Sequence, residues 1–320
     1  MAWLAWRRKQ PPQQQTQGAS TEYVETQSDP PSPLPESPEA TLPPHAEPLY
    51  ARNWAYISEE LQDRLAQTTL LTAGSGLGSV VAALAARTGV QRFIVADGDV
   101  VEESNLNRQA FSRAHLGQNK AEATAAIIKE IQPRAQVEVV PRYLDSADCA
   151  LLVPHADIIL NTIDLDTPAF LDLNRVARAA QKPVLFPLNP AWMGTVIVFT
   201  PESQSLDEFL GITGSQPSAA APSPGEVTLR LFERIYAQVP GGMPDDLQAL
   251  IRAYFDQDTS PKVPGGKSVA ERGAPQLGLT AHLTAALTVR ALVALVAQEP
   301  VRVAPQIITA DAVAQAAALP

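Results

Sequence analysis

One stretch of this 320-residue chain is dense in side chains that handle phosphate. Asp97-Gly98-Asp99 leads into Val100-Val101-Glu102-Glu103-Ser104-Asn105-Leu106-Asn107-Arg108-Gln109, and Lys120 follows eleven residues after Gln109. Arginine presents paired donors to phosphate oxygens and lysine a compact, mobile charge, which suits the charge that develops when a triphosphate is cleaved. Upstream stands a glycine-rich turn, Gly74-Ser75-Gly76-Leu77-Gly78. Such a turn between a strand and a helix lets backbone amides and the helix N-terminus approach a phosphate. Taken alone, the same letters are explained as well by a helix packing closely on a strand. Asp97, some twenty residues beyond the glycines, is spaced to accept the hydroxyls of a ribose. Glycines and acid together point to a nucleotide without separating NAD from ATP. The polar run after Asp97 favours ATP, because an NAD site has no need of so dense a cluster there. Asp164 is a hard carboxylate that can hold Mg²⁺, an ion that keeps most of its waters. For any one of these residues a surface ion pair is the simpler explanation; the ordered set tips the balance.

The elements that must position these groups follow from hydrophobic periodicity. Thr68–Ala73 is a short apolar run, hence a buried strand that ends in the glycine turn, and Ser79–Thr88 is a helix with Gly89 as its C-cap. Arg92–Ala96 is the next strand, so the three form a βαβ unit with parallel strands. Asn119–Ile131 reads as a helix ended by Pro133, Gln136–Val140 and Asp157–Thr162 as strands, Pro168–Ala180 as a helix and Pro183–Leu188 as a strand. Thr195–Thr200 is an added strand, open to an antiparallel setting. This alternation predicts an α/β fold: an open, mostly parallel sheet with helices on both faces. Asp97 and Asp164 then fall just past strand ends, on the ligand edge of such a sheet. Beyond Pro201 the pattern weakens: 211–225 and 260–273 read as loops, Val227–Val239, Asp245–Phe255 and Leu277–Gln298 as helices, and Val301–Thr309 as a closing strand.

Composition bounds the rest. Residues 1–48 hold 10 of the 29 prolines with many Gln, Ser and Glu, which reads as a disordered tail. The organisation expected is that tail, a nucleotide-binding core over 49–200, and a smaller, mainly helical region over 201–320 completing the substrate side. A hydrophobic share of 45% supports a buried core. The net charge of −10 argues against general binding to nucleic acid. One cysteine excludes an internal disulfide and a thiolate zinc cage, and fits a reducing cytoplasm. The N-terminus has its charges after a very short apolar stretch, the reverse of a secretory signal. The apolar segment from Leu277 carries His282, Arg290 and threonines, and reads as a buried helix rather than a membrane span. His45, His115, His155 and His282 have no metal-binding spacing.

The run D-x-D-x-V-x-x-S-N-L-N-R-Q with its downstream lysine resembles the ThiF/MoeB (ubiquitin-activating-enzyme-like) family. So does the upstream Tyr50-Ala51-Arg52-Asn53 with Ile57-Ser58-Glu59-Glu60-Leu61-Gln62, and the similarity covers about residues 50–200. The resemblance implies a Rossmann-like fold and an ATP-dependent adenylyltransferase, commonly a homodimer, whose product is a mixed anhydride of a substrate carboxylate and AMP. Carried over by position, Asp97 looks like the ribose ligand, with Gly74, Gly76 and Gly78 in the nucleotide turn. Asn105, Arg108, Gln109 and Lys120 look like the phosphate group, Asp164 like the magnesium aspartate, and Arg52 like an arginine that reaches into a neighbouring subunit's site. The substrate class implied is a peptide or ubiquitin-like protein C-terminus, with the loops at 211–225 and 260–273 as candidate groove walls. A carboxylate on a modified tRNA base is a second option, and the acidic composition counts against it.

The chain departs from the family pattern in three places. Its turn reads Ala73-Gly74-Ser75-Gly76-Leu77-Gly78 where the family has G-x-G-G-x-G. Paired C-x-x-C motifs are missing, so no zinc is expected. No cysteine follows the sheet where thioester-forming members carry theirs; Cys149 lies earlier and reads as a small core residue. The rival readings are an NAD-dependent oxidoreductase and an inactive member that serves as a binding scaffold.

Overall fold

The computed structural model describes residues 42–165, 167–212, 223–255 and 275–311. The expected tail up to residue 41, most of the loop at 211–225 and the whole loop at 260–273 lie outside the described residues.

Strands β1 (Thr69–Ala73), β2 (Arg92–Ala96), β3 (Gln136–Val140), β4 (Ile158–Asn161), β5 (Val184–Leu188), β6 (Gly194–Phe199) and β7 (Ile308–Ala310) form one sheet in the order β3-β2-β1-β4-β5-β6-β7. The first five pair parallel, β6 pairs antiparallel with β5, and β7 antiparallel with β6. The expected mostly parallel sheet and the antiparallel setting of the strand near 195 are both present. The strand order reverses between β1 and β4. That reversal opens a crevice at the carboxyl ends of the strands, where α/β sheets bind ligands.

Successive strand residues feed opposite faces, as the two-residue pleat requires. In β4, Ile159 enters one core and its neighbours Ile158 and Leu160 the other; in β6, Ile197 and Phe199 enter the first, Val196 and Val198 the second. Helices α4 (Ser146–Leu152), α5 (Pro168–Ala179), α6 (Leu206–Leu210) and α7 (Pro224–Tyr236) supply side chains to the first core. Helices α1 (Glu59–Gln67), α2 (Leu77–Thr88), α3 (Lys120–Ile131) and α9 (Gly278–Ala297) supply them to the second. Helix α8 (Asp245–Phe255) packs beside α7.

Several details differ from the sequence reading. The region after residue 200 adds β7 to the sheet and puts helices on both of its faces, so it finishes the same sandwich. Of the expected strand 301–309 only Ile308 and Thr309 lie in the paired strand, which runs on to Ala310, and Pro305 has no N–H for a ladder. Helices α1, α4 and α6 were not anticipated. Their signals are local: Ser58 accepts from Leu61 N, while Asp145 with Asp148 and Ser205 with Glu208 form capping boxes. Helix α9 is long and apolar enough to cross a membrane by length and composition. It instead lies on β5 and β6 and against α1 and α2, with Thr280, Ala281, Thr284, Ala285, Thr288 and Leu292 buried.

Residues 42–50, most of them inside the expected tail, are docked on the fold through two buried side chains, with most of the segment exposed. Glu47 and Tyr50 are buried. Glu47 accepts from Gln132 Nε2 at 2.7 Å and Gln91 Nε2 at 2.9 Å, and Tyr50 donates to Ala86 O at 3.1 Å while accepting from Gln132. Proline-rich composition hides this docking, because two polar side chains and one ring do the anchoring. Tyr50→Phe removes a hydroxyl that satisfies two buried groups. It should cost about 1–3 kcal/mol in urea unfolding; a change within error would mean that the segment is not held by these bonds.

Candidate functional site

The glycine turn is fastened from both sides at the point where the strand order reverses. Gly74 N donates to Ala96 O at 2.8 Å, and Thr162 N to Ala73 O at 2.8 Å. Thr162 Oγ1 also contacts Ala73 O at 3.0 Å and Gly74 O at 2.7 Å. Gly74 has φ +89° and faces the Thr162 carbonyl so closely that a Cβ has no room. At Gly78 a Cβ would stand 2.8 Å from both Thr162 Oγ1 and Thr72 Cγ2, so this glycine lets α2 press onto the strands. Gly76 is different: its nearest neighbour would be Gln109 Nε2 at 3.4 Å, which leaves its backbone open. Helix α2 starts at Leu77, two residues ahead of the sequence reading, because Ser79 N and Oγ both return to Gly76 O and close the first turn at once.

Asp97, at the end of β2, joins this turn to the next loop. Its Oδ2 accepts from Ser75 N at 2.6 Å and its Oδ1 from Asp99 N at 2.8 Å. Burial pushes its carboxyl above the ordinary aspartate range, against the pull of those two amides and of Lys120. The Oγ of Ser75 is buried without a hydrogen-bond partner among the described residues, and so is Oε1 of Gln109. Two unsatisfied polar atoms flanking an open glycine are the sort of exception that a functional role explains.

The Ser104–Gln109 block folds over α2. Asn105 is buried, with Oδ1 accepting from Glu102 N at 3.0 Å, and Ala110 N donates to Ser79 Oγ at 3.1 Å. Arg108 extends Nε to Gln276 Oε1 at 2.9 Å and Nη1 to Ser104 O at 2.7 Å. Burial lowers the Arg108 pKa, and the Asp164 carboxylate works the other way, so the two charges sense each other across the crevice. Asp164 is exposed on the loop after β4, its carbonyl accepting from Thr167 N and Oγ1. Lys120 begins α3 and donates from Nζ to Asp99 Oδ2 at 2.8 Å. The other Asp99 oxygen takes the Tyr143 hydroxyl.

Of the residues singled out in the sequence, Gly74, Gly76, Gly78, Asp97, Asn105, Arg108, Gln109, Lys120 and Asp164 line one edge of the sheet. Arg52 does not join them: it is exposed, and no hydrogen bond or ion pair links it to the cluster among the described residues. Sequence reasoning missed Thr162, Tyr143, Asp99 and Gln276. Asp99 stood in the D-x-D run, but only its approach to Lys120 reveals a use. Gln276 has no signal at all: it comes from 168 residues away, just before α9, where its carbonyl also accepts from Asn107 Nδ2 at 3.1 Å. Gly278 fits against the Asn107 carbonyl with no room for a Cβ. Cys149 sits in α4, fully buried in the first core, its thiol pushed up to about 11 chiefly by burial and further by Asp172, Asp148 and Asp145. That setting suits a packing residue and disfavours a thiolate nucleophile.

Fold and cluster together define an α/β protein with a glycine turn and neighbouring acids and bases at its strand-order reversal. The ThiF family profile matches residues 50–318, and the chain belongs to the ThiF family. It is 33% identical over 124 residues to the SAMP-activating enzyme E1 of Haloferax volcanii, covering 38% of this chain and 46% of that one. It is 30% identical over 143 residues to the molybdopterin-synthase adenylyltransferase of Haemophilus influenzae, covering 44% and 58%. The chain thus spans about half the length of these curated relatives. Among solved structures it is similar to PaaA (TM-score 0.57, 19% identity, 79% of this chain and 72% of that one). It is likewise similar to Escherichia coli MccB solved with ATP (TM-score 0.54, 18% identity, 84% and 72%). At such identities the likeness is one of fold.

The two glycines make opposite demands. Gly74→Ala forces a side chain into a positive-φ site against a carbonyl and should lower stability by about 1–3 kcal/mol. Gly76→Ala should leave the urea midpoint within error of the wild type. Equal losses in the two variants would mean that Gly76 also serves packing.

Proposed function

We propose that this protein adenylates a carboxylate with ATP, and that the carboxylate is the C-terminus of a peptide or of a ubiquitin-like or sulfur-carrier protein. The observation that carries the reading is the gathering of the glycine turn, Asp97, the Asp99–Lys120 pair and Arg108, with Asp164 near enough to act on its charge, along one sheet edge. ATP fits there on physical grounds. Gly76 leaves a backbone free for close approach, and the partnerless Ser75 Oγ and Gln109 Oε1 border it. Asp97 accepts the ribose hydroxyls with lone pairs that its two amide donors leave over.

In this mechanism a carboxylate oxygen attacks the α-phosphorus in line, the bond from that phosphorus to the bridging oxygen breaks, and pyrophosphate departs. Arg108 and Lys120 stabilise charge on the phosphoryl oxygens, with Asn105 and Gln109 shaping the same wall. Asp164 is the residue that would hold Mg²⁺. It is exposed and faces the crevice, and this ion needs only one or two carboxylates beside phosphate and water. Bound there, Mg²⁺ would supply charge neutralisation for the phosphates. Cys149 is sealed in the core, so the acyl adenylate passes to an outside nucleophile.

The names of the relatives support a protein-borne substrate, since one is named for activating SAMP and another for adenylylating molybdopterin synthase. A homodimer fits this reading. Arg52 is flanked by Trp54 and Tyr56, which are 75% and 92% exposed, and exposed aromatics beside an arginine are typical of interfaces. In the dimer Arg52 would complete the neighbouring site. A cytoplasmic setting agrees with an ATP-consuming enzyme whose lone thiol is buried.

ATP–pyrophosphate exchange with candidate carrier proteins and peptides tests the reading. Arg108→Ala and Asp164→Ala should each reduce exchange by about 10²–10³. Exchange at wild-type rates in both variants, or NAD binding with no ATP binding, would sink it. For Arg52, mixing inactive Arg52→Ala with inactive Arg108→Ala protein should restore part of the activity, because a mixed dimer regains one intact site. No recovery after verified subunit exchange would remove Arg52 from a shared site.

A further inference from the structure

Tyr143 lies in the loop between β3 and α4 and belongs to no motif of the sequence. Its ring rests on Gly98: a Cβ there would stand 2.5 Å from Tyr143 N and 2.6 Å from the ring atoms Cγ and Cδ2. The residue is 69% exposed, so burial of its ring does not account for its position. What it does contribute is a hydroxyl bonded to Asp99 Oδ1, while Asp99 Oδ2 takes Lys120 Nζ at 2.8 Å. The carboxylate is therefore gripped at both oxygens. Lys120 N also donates to Asp99 O at 2.8 Å, and Asn119 Nδ2 to the Asp97 and Asp99 carbonyls at 3.0 and 3.2 Å. Backbone and side chain of the Asp97–Asp99 loop are thus both tied to the start of α3.

We infer that Tyr143 is a positioning residue: by fixing Asp99 it aims the Lys120 ammonium at the phosphoryl group, an inference that rests on the adenylation reading. The Lys120 side chain is only 10% exposed, so its stem has little room and its tip is directed by whatever it binds. An ammonium has three donors; Asp99 uses one, and the others are left for phosphate oxygens. With the Tyr143 hydroxyl gone, the Asp99 carboxylate turns about its terminal torsion, which is soft, and the ammonium follows. The electrostatics agree. Burial works against charge on Asp99, yet the bonds from Lys120 and Tyr143 outweigh it and hold the carboxyl below its ordinary range. The Tyr143 hydroxyl is pushed up to about 12, first by its bond to Asp99, so it remains a donor at any working pH.

The test uses full-length protein. Tyr143→Phe should lower kcat for ATP–pyrophosphate exchange by about tenfold, with the KM for ATP changed by less than about twofold, the pattern of an interaction that matters in the transition state. In an Asp99→Asn background the same substitution should cost less than about twofold, because residues acting through one another are not additive. Independently of turnover, Lys120 labelling by acetic anhydride, read by peptide mass spectrometry, should speed up about threefold in Tyr143→Phe as the ammonium loses its fixed partner. Unchanged labelling overturns the inference whether or not the enzyme adenylates anything. Equal losses in both backgrounds, or a loss confined to KM, overturn it as well. Absence of exchange by the wild type, with labelling faster in Tyr143→Phe, would fault the adenylation reading and leave the Tyr143–Asp99–Lys120 linkage standing.

Discussion

The candidate site depends on one partly buried carboxylate. Asp97 bonds the amide of Ser75 in the first crevice loop and the amide of Asp99 in the second, so one side chain sets the distance between the glycine turn and the polar run. Holding an aspartate there opposes its charge, which is why its carboxyl is raised. A group under that tension gains from any ligand that donates further hydrogen bonds to the charged form. Asp97 is thus the brace of the site, and its remaining lone pairs are what the proposed ribose contact draws on.

Around that brace the charges are arranged in facing pairs. Lys120 meets Asp99, and Arg108 senses Asp164, in a chain that is acidic overall. A nearby acid offsets part of the cost of holding a partly buried cation out of water. The net charge of the chain describes its average surface and says nothing against such local basic groups.

The C-terminal third belongs to this site as closely as the motif does. Gln276 and Gly278 meet Asn107 and Arg108 where α9 begins, and the rest of α9 is bedded on β5 and β6. A rigid helix anchored by its buried stripe is a firm support for an arginine that must point in one direction. The ThiF family match also runs on to residue 318, far past the run of motifs near residue 100.

The sequence by itself determined the parallel sheet, its alternating helices and the edge on which the chemistry gathers. Those features rest on local hydrophobic period and on glycines that tolerate no side chain, both of which are written in neighbouring letters. Asp97 and Asp164 were legible as acids just past apolar runs, and Arg108 and Lys120 by their place in the polar run that follows Asp97. Tertiary structure alone decided that Thr162 would lock the turn, that Tyr143 would grip Asp99, that Gln276 would hold Arg108, and that Glu47 and Tyr50 would dock a proline-rich segment. Each of these is a contact between residues far apart in sequence, where no period or spacing connects the partners. It also decided that Arg52 would stand apart from the cluster within one chain, because the direction of an exposed loop is set by what it packs against.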